Sequence, residues 1–172
     1  MIRECTAADT DRIFLVINEA AQSYRRVIPD DCWHEPYMPL DELRREMASM
    51  TFFGWDDADG LVAVMGYQPL PDAAPAPVTL IRHAYTLPRR QREGIGGRLL
   101  RHLMSMATTG LPAGQAGTLL VGTWAANKGA IRFYERHGFR LLGEEEGREL
   151  LRRYWSIPPR QIETSVVLEK EN

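Results

Sequence analysis

The run Leu80-Ile81-Arg82-His83-Ala84-Tyr85-Thr86-Leu87, Pro88-Arg89-Arg90, Gln91-Arg92-Glu93-Gly94-Ile95-Gly96-Gly97, Arg98-Leu99-Leu100-Arg101-His102-Leu103 reads in order as strand, basic turn, glycine turn and helix. The strand rests on its length, its β-branched and aromatic content and the stop at Pro88. The helix rests on apolar residues at 95, 99, 100, 103, 106 and 107, which share one face at helical spacing. Gly94, Gly96 and Gly97 lack a Cβ, so backbone N–H groups there can approach a ligand closely. Those groups lie at a helix start, where four amides have no internal partner and the dipole is positive. This is an anion site, most naturally for phosphate. A tight turn with no ligand is the plain alternative.

Two nucleotide motifs are excluded. The dinucleotide fingerprint needs a glycine where Leu99 stands, and no Gly-Lys-Ser/Thr run of the Walker type occurs in the chain. The 172 residues suffice for one domain with a real core, and the 44% hydrophobic and 26% charged content is ordinary for a globular protein. A formal charge of −2 gives no reason to expect nucleic acid or membrane as a partner. Arg89, Arg90, Arg92, Arg98 and Arg101 are nonetheless clustered, which suits a small polyanion. Cys5 and Cys32 make no disulfide framework, and no metal spacing joins them to the histidines, so no metal is expected. Met1-Ile2-Arg3-Glu4 begins no signal segment, and no apolar run approaches the ~20 residues that span a bilayer. A cytoplasmic setting is the default expectation.

Taken in order, residues 2–5 read as a strand and Asp11–Tyr24 as an amphipathic helix. Arg25–Pro39 is a loop broken by three prolines, and Asp41–Met50 is a second helix. Thr51–Trp55 and Leu61–Gln68 are strands around the Asp56–Gly60 turn. A proline-rich loop precedes the strand, turn and helix already described. Gly110–Gly117 is a connection, Thr118–Trp124 a buried strand, and Asn127–His137 a helix ended by Gly138. Phe139–Leu142 is a strand, 144–155 a helix or turn excursion, and Gln161–Glu169 a final strand. The order is β-α-α-β-β-β-α-β-α-β-β, an α/β chain with a mixed sheet. The hairpin-linked middle strands are antiparallel, and the 80–124 unit is a right-handed parallel crossover.

Gln91-Arg92-Glu93-Gly94-Ile95-Gly96 resembles the acyl-CoA loop of the Gcn5-related N-acetyltransferase (GNAT) superfamily, Gln/Arg-x-x-Gly-x-Gly/Ala. A second block fits too: Asn127, Ala130, the Phe133-Tyr134 pair and Gly138-Phe139. With the element order, the resemblance covers nearly the whole chain. It implies the acyl-CoA N-acyltransferase fold as a single domain over 1–172, with central strands that splay apart. It also implies an N-acetyltransferase that moves an acetyl group from acetyl-CoA to a primary amine. By the resemblance, the backbone of Ala84, Tyr85 and Thr86 pairs with the pantetheine. Gln91, Arg92, Glu93, Gly94, Ile95, Gly96 and Gly97 hold the pyrophosphate. Asn127 and Ala130 contact the arm, and Tyr134 lies near the thioester sulfur as general acid. The plain reading of Tyr134 is a core aromatic.

The general base is not carried over. Relatives place a Glu where this chain has Leu80 and Gly122. His83 is the local substitute, because a neutral imidazole accepts a proton near neutral pH. Its alternative is a hydrogen bond within the sheet, and His34, Glu35 or a water chain are further candidates. Tyr24, Trp33, His34, Glu35, Tyr37 and Trp124 are the expected acceptor residues, since aromatic walls with a carboxylate suit an amine cation. The expected acceptor is a small-molecule or amino-acid-like amine. A peptide or protein amine and a non-catalytic acyl-CoA-binding module are the other readings. A homodimer is left open.

Overall fold

The computed structural model describes residues 1–110 and 116–171, so most of the Gly110–Gly117 connection lies outside the described residues. The strands are β1 (Ile2–Glu4), β2 (Thr51–Asp57), β3 (Gly60–Leu70), β4 (Val78–Thr86), β5 (Thr118–Trp124), β6 (Arg140–Leu141) and β7 (Ser165–Glu171). The helices are α1 (Thr10–Ala21), α2 (Leu40–Ser49), α3 (Ile95–Thr109), α4 (Lys128–Glu135), α5 (Glu144–Tyr154) and α6 (Pro159–Glu163). Among the described residues the strands form one sheet in the order β1-β2-β3-β4-β5-β7-β6. Only the β4–β5 pairing is parallel.

Both faces of the sheet are covered. Phe53 turns to His102 of α3, with ring centroids 5.5 Å apart. Its neighbour Phe52 turns to the opposite face, as strand alternation requires, and stacks with His83 at 5.7 Å. On α3 the buried residues Ile95, Leu99, Leu100, Leu103 and Ala107 form the apolar stripe read from the sequence. Each fully buried leucine contributes about 1.5–3 kcal/mol by leaving water. A second, smaller cluster lies under α5, where Leu80, Leu120, Leu151 and Val167 meet.

The sheet opens in the middle. β4 and β5 pair only from Val78–Ile81 with Thr118–Val121. Beyond that, β4 follows β3 through Thr86, while β5 follows β7 through Trp124. A bulge accompanies the parting: Val64 pairs with Tyr85 and Gly66 with Arg82, so Met65 faces two residues of β4, His83 and Ala84. His83 has φ 49°. A left-handed conformation on a non-glycine residue costs on the order of 1–3 kcal/mol, and a bulge re-aims the side chains around it.

Most elements differ from the sequence reading by one to three residues at an end, and three differences go further. The 144–155 excursion is a true helix, Glu144–Tyr154. Glu144, Glu145 and Glu146 in its first turn and Arg152 and Arg153 in its last complement the helix dipole. Residues 161–164, read as strand, belong to α6 and its C-terminal turn, because Pro159 opens a helix at its first position. The apparent alternation through Ile162 and Thr164 is coincidental, and β7 begins at Ser165. Helix α1 ends at Ala21, and Gln22–Tyr24 tightens into a 3-10 turn.

Candidate active site

The parting of β4 and β5 leaves a cavity at the level of the bulge. Its β4 side carries Ile81, Arg82, His83, Ala84 and Tyr85, and its β5 side Gly122, Thr123 and Trp124. Helix α4 contributes Ala130 and Tyr134, with Asn127 at its start. Asn127 is the N-cap: its Oδ1 accepts from the Ala130 amide at 3.1 Å. Tyr134 is 5% exposed and packs edge-on against Phe133 and Phe139. Burial first, and then the neighbouring Tyr24, pushes its phenol up, so it stays protonated at neutral pH.

Above the cavity sits the segment between α1 and α2. Tyr37 stacks on Trp33 at 5.5 Å and meets Tyr85 of β4 edge-on at 6.5 Å. Its hydroxyl accepts from Trp124 Nε1 of β5 at 3.2 Å. One side chain thus spans both banks of the slot. Tyr24 meets Tyr85 edge-on at 6.2 Å, and burial pushes the Tyr24, Tyr37 and Tyr85 phenols up.

Of the expected acceptor residues, Tyr24, His34, Tyr37 and Trp124 line the cavity, whereas Trp33 and Glu35 do not. Trp33 Nε1 instead donates to Glu35 Oε1 at 3.3 Å, with the Arg25 guanidinium over the Trp33 ring at 5.0 Å. Trp33 and Glu35 thus engage each other beside the cavity, and the Arg25 guanidinium pairs with Asp30 at 2.8 Å. His34 is exposed and engages the Pro36 carbonyl through Nδ1 at 2.8 Å.

The carboxylates in the cavity come from α2, which the sequence reading left without a role. Glu46 Oε2 lies 2.9 Å from His83 Nε2 and 2.9 Å from an Arg82 guanidinium nitrogen. Burial alone would raise the Glu46 carboxyl, but His83 and Arg82 hold it below the ordinary carboxylate range. Glu42, one turn earlier, also lines the cavity. The signal was present: Leu43 and Met47 are the apolar pair of α2, and Glu42 and Glu46 flank that pair at the same i, i+4 spacing. The places held by Leu80 and Gly122 are filled. Leu80 is fully buried, and a Cβ on Gly122 would lie 3.3 Å from Leu151 and 3.5 Å from Trp155. Trp155, Ser156, Ile157, Gln161 and Ser165 form a wall that the sequence reading also missed.

The glycine turn lies outside the cavity, at the start of α3. Gly94 is its N-cap with φ 77°, and Arg92 has φ 66°. The Arg98 amide is the first to reach back, to the Gly94 carbonyl, so the amides of Ile95, Gly96 and Gly97 precede the helical ladder. Gln91 Nε2 donates to the Thr86 carbonyl at 3.2 Å and ties the turn to β4. A Cβ on Gly96 would touch Thr86 on one side and Phe133 on the other, at 3.8 and 3.7 Å, and fill the gap between β4 and α4. Orphan amides and an open gap fit a diphosphate group. The five-arginine patch is smaller than the sequence implied. Arg90 is paired with Asp57 and Glu93, Arg89 reaches Glu19 at 3.4 Å, and Arg98 lies over Trp55.

The acetyltransferase (GNAT) family model matches residues 14–139. The chain belongs to the GNAT family. At that level its chemistry is N-acyl transfer from an acyl-CoA donor. Solved GNAT folds superpose over the whole length. The PaiA N-acetyltransferase from Thermoplasma acidophilum in complex with coenzyme A has TM-score 0.72 and 15% identity, over 100% of this chain and 98% of that one. A GNAT-family acetyltransferase from Staphylococcus aureus Mu50 has TM-score 0.70 and 14% identity, over 99% and 98%. A ribosomal-protein-alanine N-acetyltransferase from Brucella melitensis has TM-score 0.66 and 17% identity, over 99% and 98%. Likeness at these identities is of fold alone. No curated protein sequence matches the chain. Among the described residues no helix is long and apolar enough to cross a membrane.

Proposed function

We propose that this GNAT protein, as a single domain, transfers an acetyl group from acetyl-CoA to a primary amine of a small molecule. The observation that carries the small-molecule reading is the roof over the cavity, with Tyr37 joined to Tyr85 on one bank and Trp124 on the other. A peptide needs an unobstructed groove, whereas here Tyr37 bridges the two banks of a partly open cavity that also bears the carboxylate of Glu42. Such walls suit a compact amine cation.

Acetyl-CoA supplies a thioester whose carbonyl carbon the amine attacks and whose C–S bond breaks to release the thiolate, which takes its proton from solvent. The turn Gln91–Gly97 is suited to the diphosphate, and the free edge of β4 at Ala84–Thr86, with Asn127 and Ala130 opposite, to the pantetheine arm. The protein's remaining work is with protons. An amine of pKa ~10.4 arrives as the ammonium and attacks only after losing a proton, which we assign to His83. A second proton leaves the nitrogen as the amide forms and passes to solvent. Tyr134 donates its O–H toward the departing sulfur. Because burial makes the phenol a weaker acid than a thiol of pKa ~8.5, its contribution is a hydrogen bond that strengthens as the C–S bond breaks.

The test is thiol release from acetyl-CoA with a panel of small amines and peptides. Turnover of one or more small amines, with peptides inert, is expected. Turnover of peptides alone would reverse the acceptor assignment. Tight CoA binding with no turnover at several pH values would make the chain an acyl-CoA-binding module.

A further inference from the structure

Adjacent residues of a regular strand point to opposite faces, yet Arg82 and His83 both reach Glu46. The bulge makes this possible. His83, at φ 49°, turns its ring onto the same face as the Arg82 side chain, toward α2. There the imidazole is held three ways. Phe52 stacks on it with an interplanar angle of 18°, Glu46 takes Nε2 at 2.9 Å, and the local backbone fixes its direction. Glu46 is itself fixed by Arg82, with contacts of 2.9 Å to Oε2 and 3.4 Å to Oε1. Side-chain exposures of 12%, 14% and 19% for Arg82, His83 and Glu46 keep the cluster mostly away from water while His83 still lines the cavity.

We propose that Glu46 is the positioning residue for His83, and that the two form the proton-accepting pair of the reaction. This rests on the reading of His83 as the base. An ionised carboxylate only accepts hydrogen bonds, so Nε2 carries the proton and Nδ1 keeps the lone pair. The tautomer is thereby set, and Nδ1 is the ring atom that takes a proton from the acceptor ammonium. The ammonium N–H bond breaks, its electron pair stays on the amine, and the proton forms a bond to Nδ1. The imidazolium then donates from Nε2 to a charged partner. The other titratable or charged groups that line the cavity with His83 are Arg82 on β4, Glu42 on α2, Tyr24, Cys32, His34 and Tyr37 in the segment above it, and Tyr85 and Tyr134. Arg82 balances Glu46, so the cluster is neutral before the proton arrives and carries one positive charge after it, opposite Glu42.

Two measurements test the pair. Nitrogen-15 NMR of the imidazoles, with the His83 signals assigned by their loss in His83→Asn, reads the tautomer without any turnover. Wild type should show the Nε2–H form, and Glu46→Gln a mixture of both forms. The same tautomer in the same proportion in both proteins would overturn the positioning role. The second measurement is kinetic. Glu46→Gln should lower kcat about 10–100-fold, the scale of one proton-transfer group, and move the acidic limb of the pH–rate profile to lower pH. KM for acetyl-CoA should change less than about twofold. In a His83→Ala background, Glu46→Gln should add less than about twofold, because the two act as one unit. Full multiplication of the two losses, or an unmoved acidic limb, would overturn the pair. Should Glu46→Gln fail to fold beside an unbalanced Arg82, Glu46→Asp keeps the charge and shortens the reach. It should show the same rate loss and the same mixed tautomer. Absence of turnover in wild type with the tautomer result intact would defeat the acetyl-transfer reading and the catalytic half of the pair, and leave only the geometry.

Discussion

The glycine turn and the roofed cavity meet at one slot but are built of different material. At the turn the working surface is main chain: the positive φ of Arg92 and Gly94 and the leading amides of α3, all between Gln91 and Gly97. At the cavity it is side chain. Glu46 and His83 are 37 positions apart in the chain, and Tyr37 and Trp124 are 87 apart. Amides are the same in every residue, so the turn is specified by where side chains are missing. The cavity is specified by which side chains are present, and by a fold that brings distant ones together. The two regions should therefore fail differently when altered.

The largest effect is expected at the turn. Gly96→Asp should weaken CoA binding at least ~10²-fold by calorimetry, since a carboxylate takes the place where a helix start attracts an anion. The protein itself should accept the change. The added Cβ meets Thr86 and Phe133 only at ordinary contact distance, so the crowding is toward a ligand and not within the turn. Replacing glycine in a first helical turn by aspartate favours the helix, so Tm should hold or rise slightly. Unchanged CoA affinity in the folded variant would remove the turn from the donor site and end the contrast.

Tyr134→Phe comes next and probes the junction between the two regions. The ring stays packed on Phe133 and Phe139, and only the hydroxyl is lost. If the phenol hydrogen-bonds the departing sulfur, kcat falls ~10²-fold while CoA affinity holds within about twofold. Equal losses of affinity and rate would make Tyr134 a binding residue that belongs with the turn.

This contrast also explains what could be read in advance. The turn, α3 and the Asn127–Phe139 block are local patterns, so periodicity and glycine placement were enough to place them. The cavity's chemistry was half legible. His83 stood out because Leu80 and Gly122 cannot act as bases, but its partner did not, because nothing local joins residue 46 to residue 83. Only the bulge opposite Met65 does so, and its two extra-paired residues on β4, His83 and Ala84, are not glycines that would have marked it. Trp33 and Glu35 misled for the converse reason. Their composition suits an amine site, yet they engage each other beside the cavity, with Arg25 over the Trp33 ring. Trp155 lay in a segment of uncertain structure, so its place over Gly122 could not be foreseen.

The smallest effect is expected at the roof, where Tyr37→Phe separates closure from chemistry. The variant keeps the stack on Trp33 and the edge contact with Tyr85 and loses only the hydroxyl, which accepts from Trp124 Nε1 and also hydrogen-bonds the Tyr85 hydroxyl. Trp124 is 9% exposed, so its N–H is left with little water to replace the lost partner. An unsatisfied buried donor costs about 1–3 kcal/mol, and the lower end applies beside a cavity that admits water. For a chain of this size about 1 kcal/mol lowers Tm by about 2–4 °C. The rate at saturating amine should stay within about twofold, because no proton of the reaction passes through Tyr37. KM for the amine should rise about three- to tenfold as the roof loosens, and KM for acetyl-CoA should not follow it. A parallel rise in both KM values would mean that the Tyr37 contact holds the two strands at their spacing. The slot would then respond as one piece, and the division between a main-chain end and a side-chain end would be wrong. A fall in kcat with both KM values steady would instead place Tyr37 among the groups that handle the proton, beside His83 and Glu46.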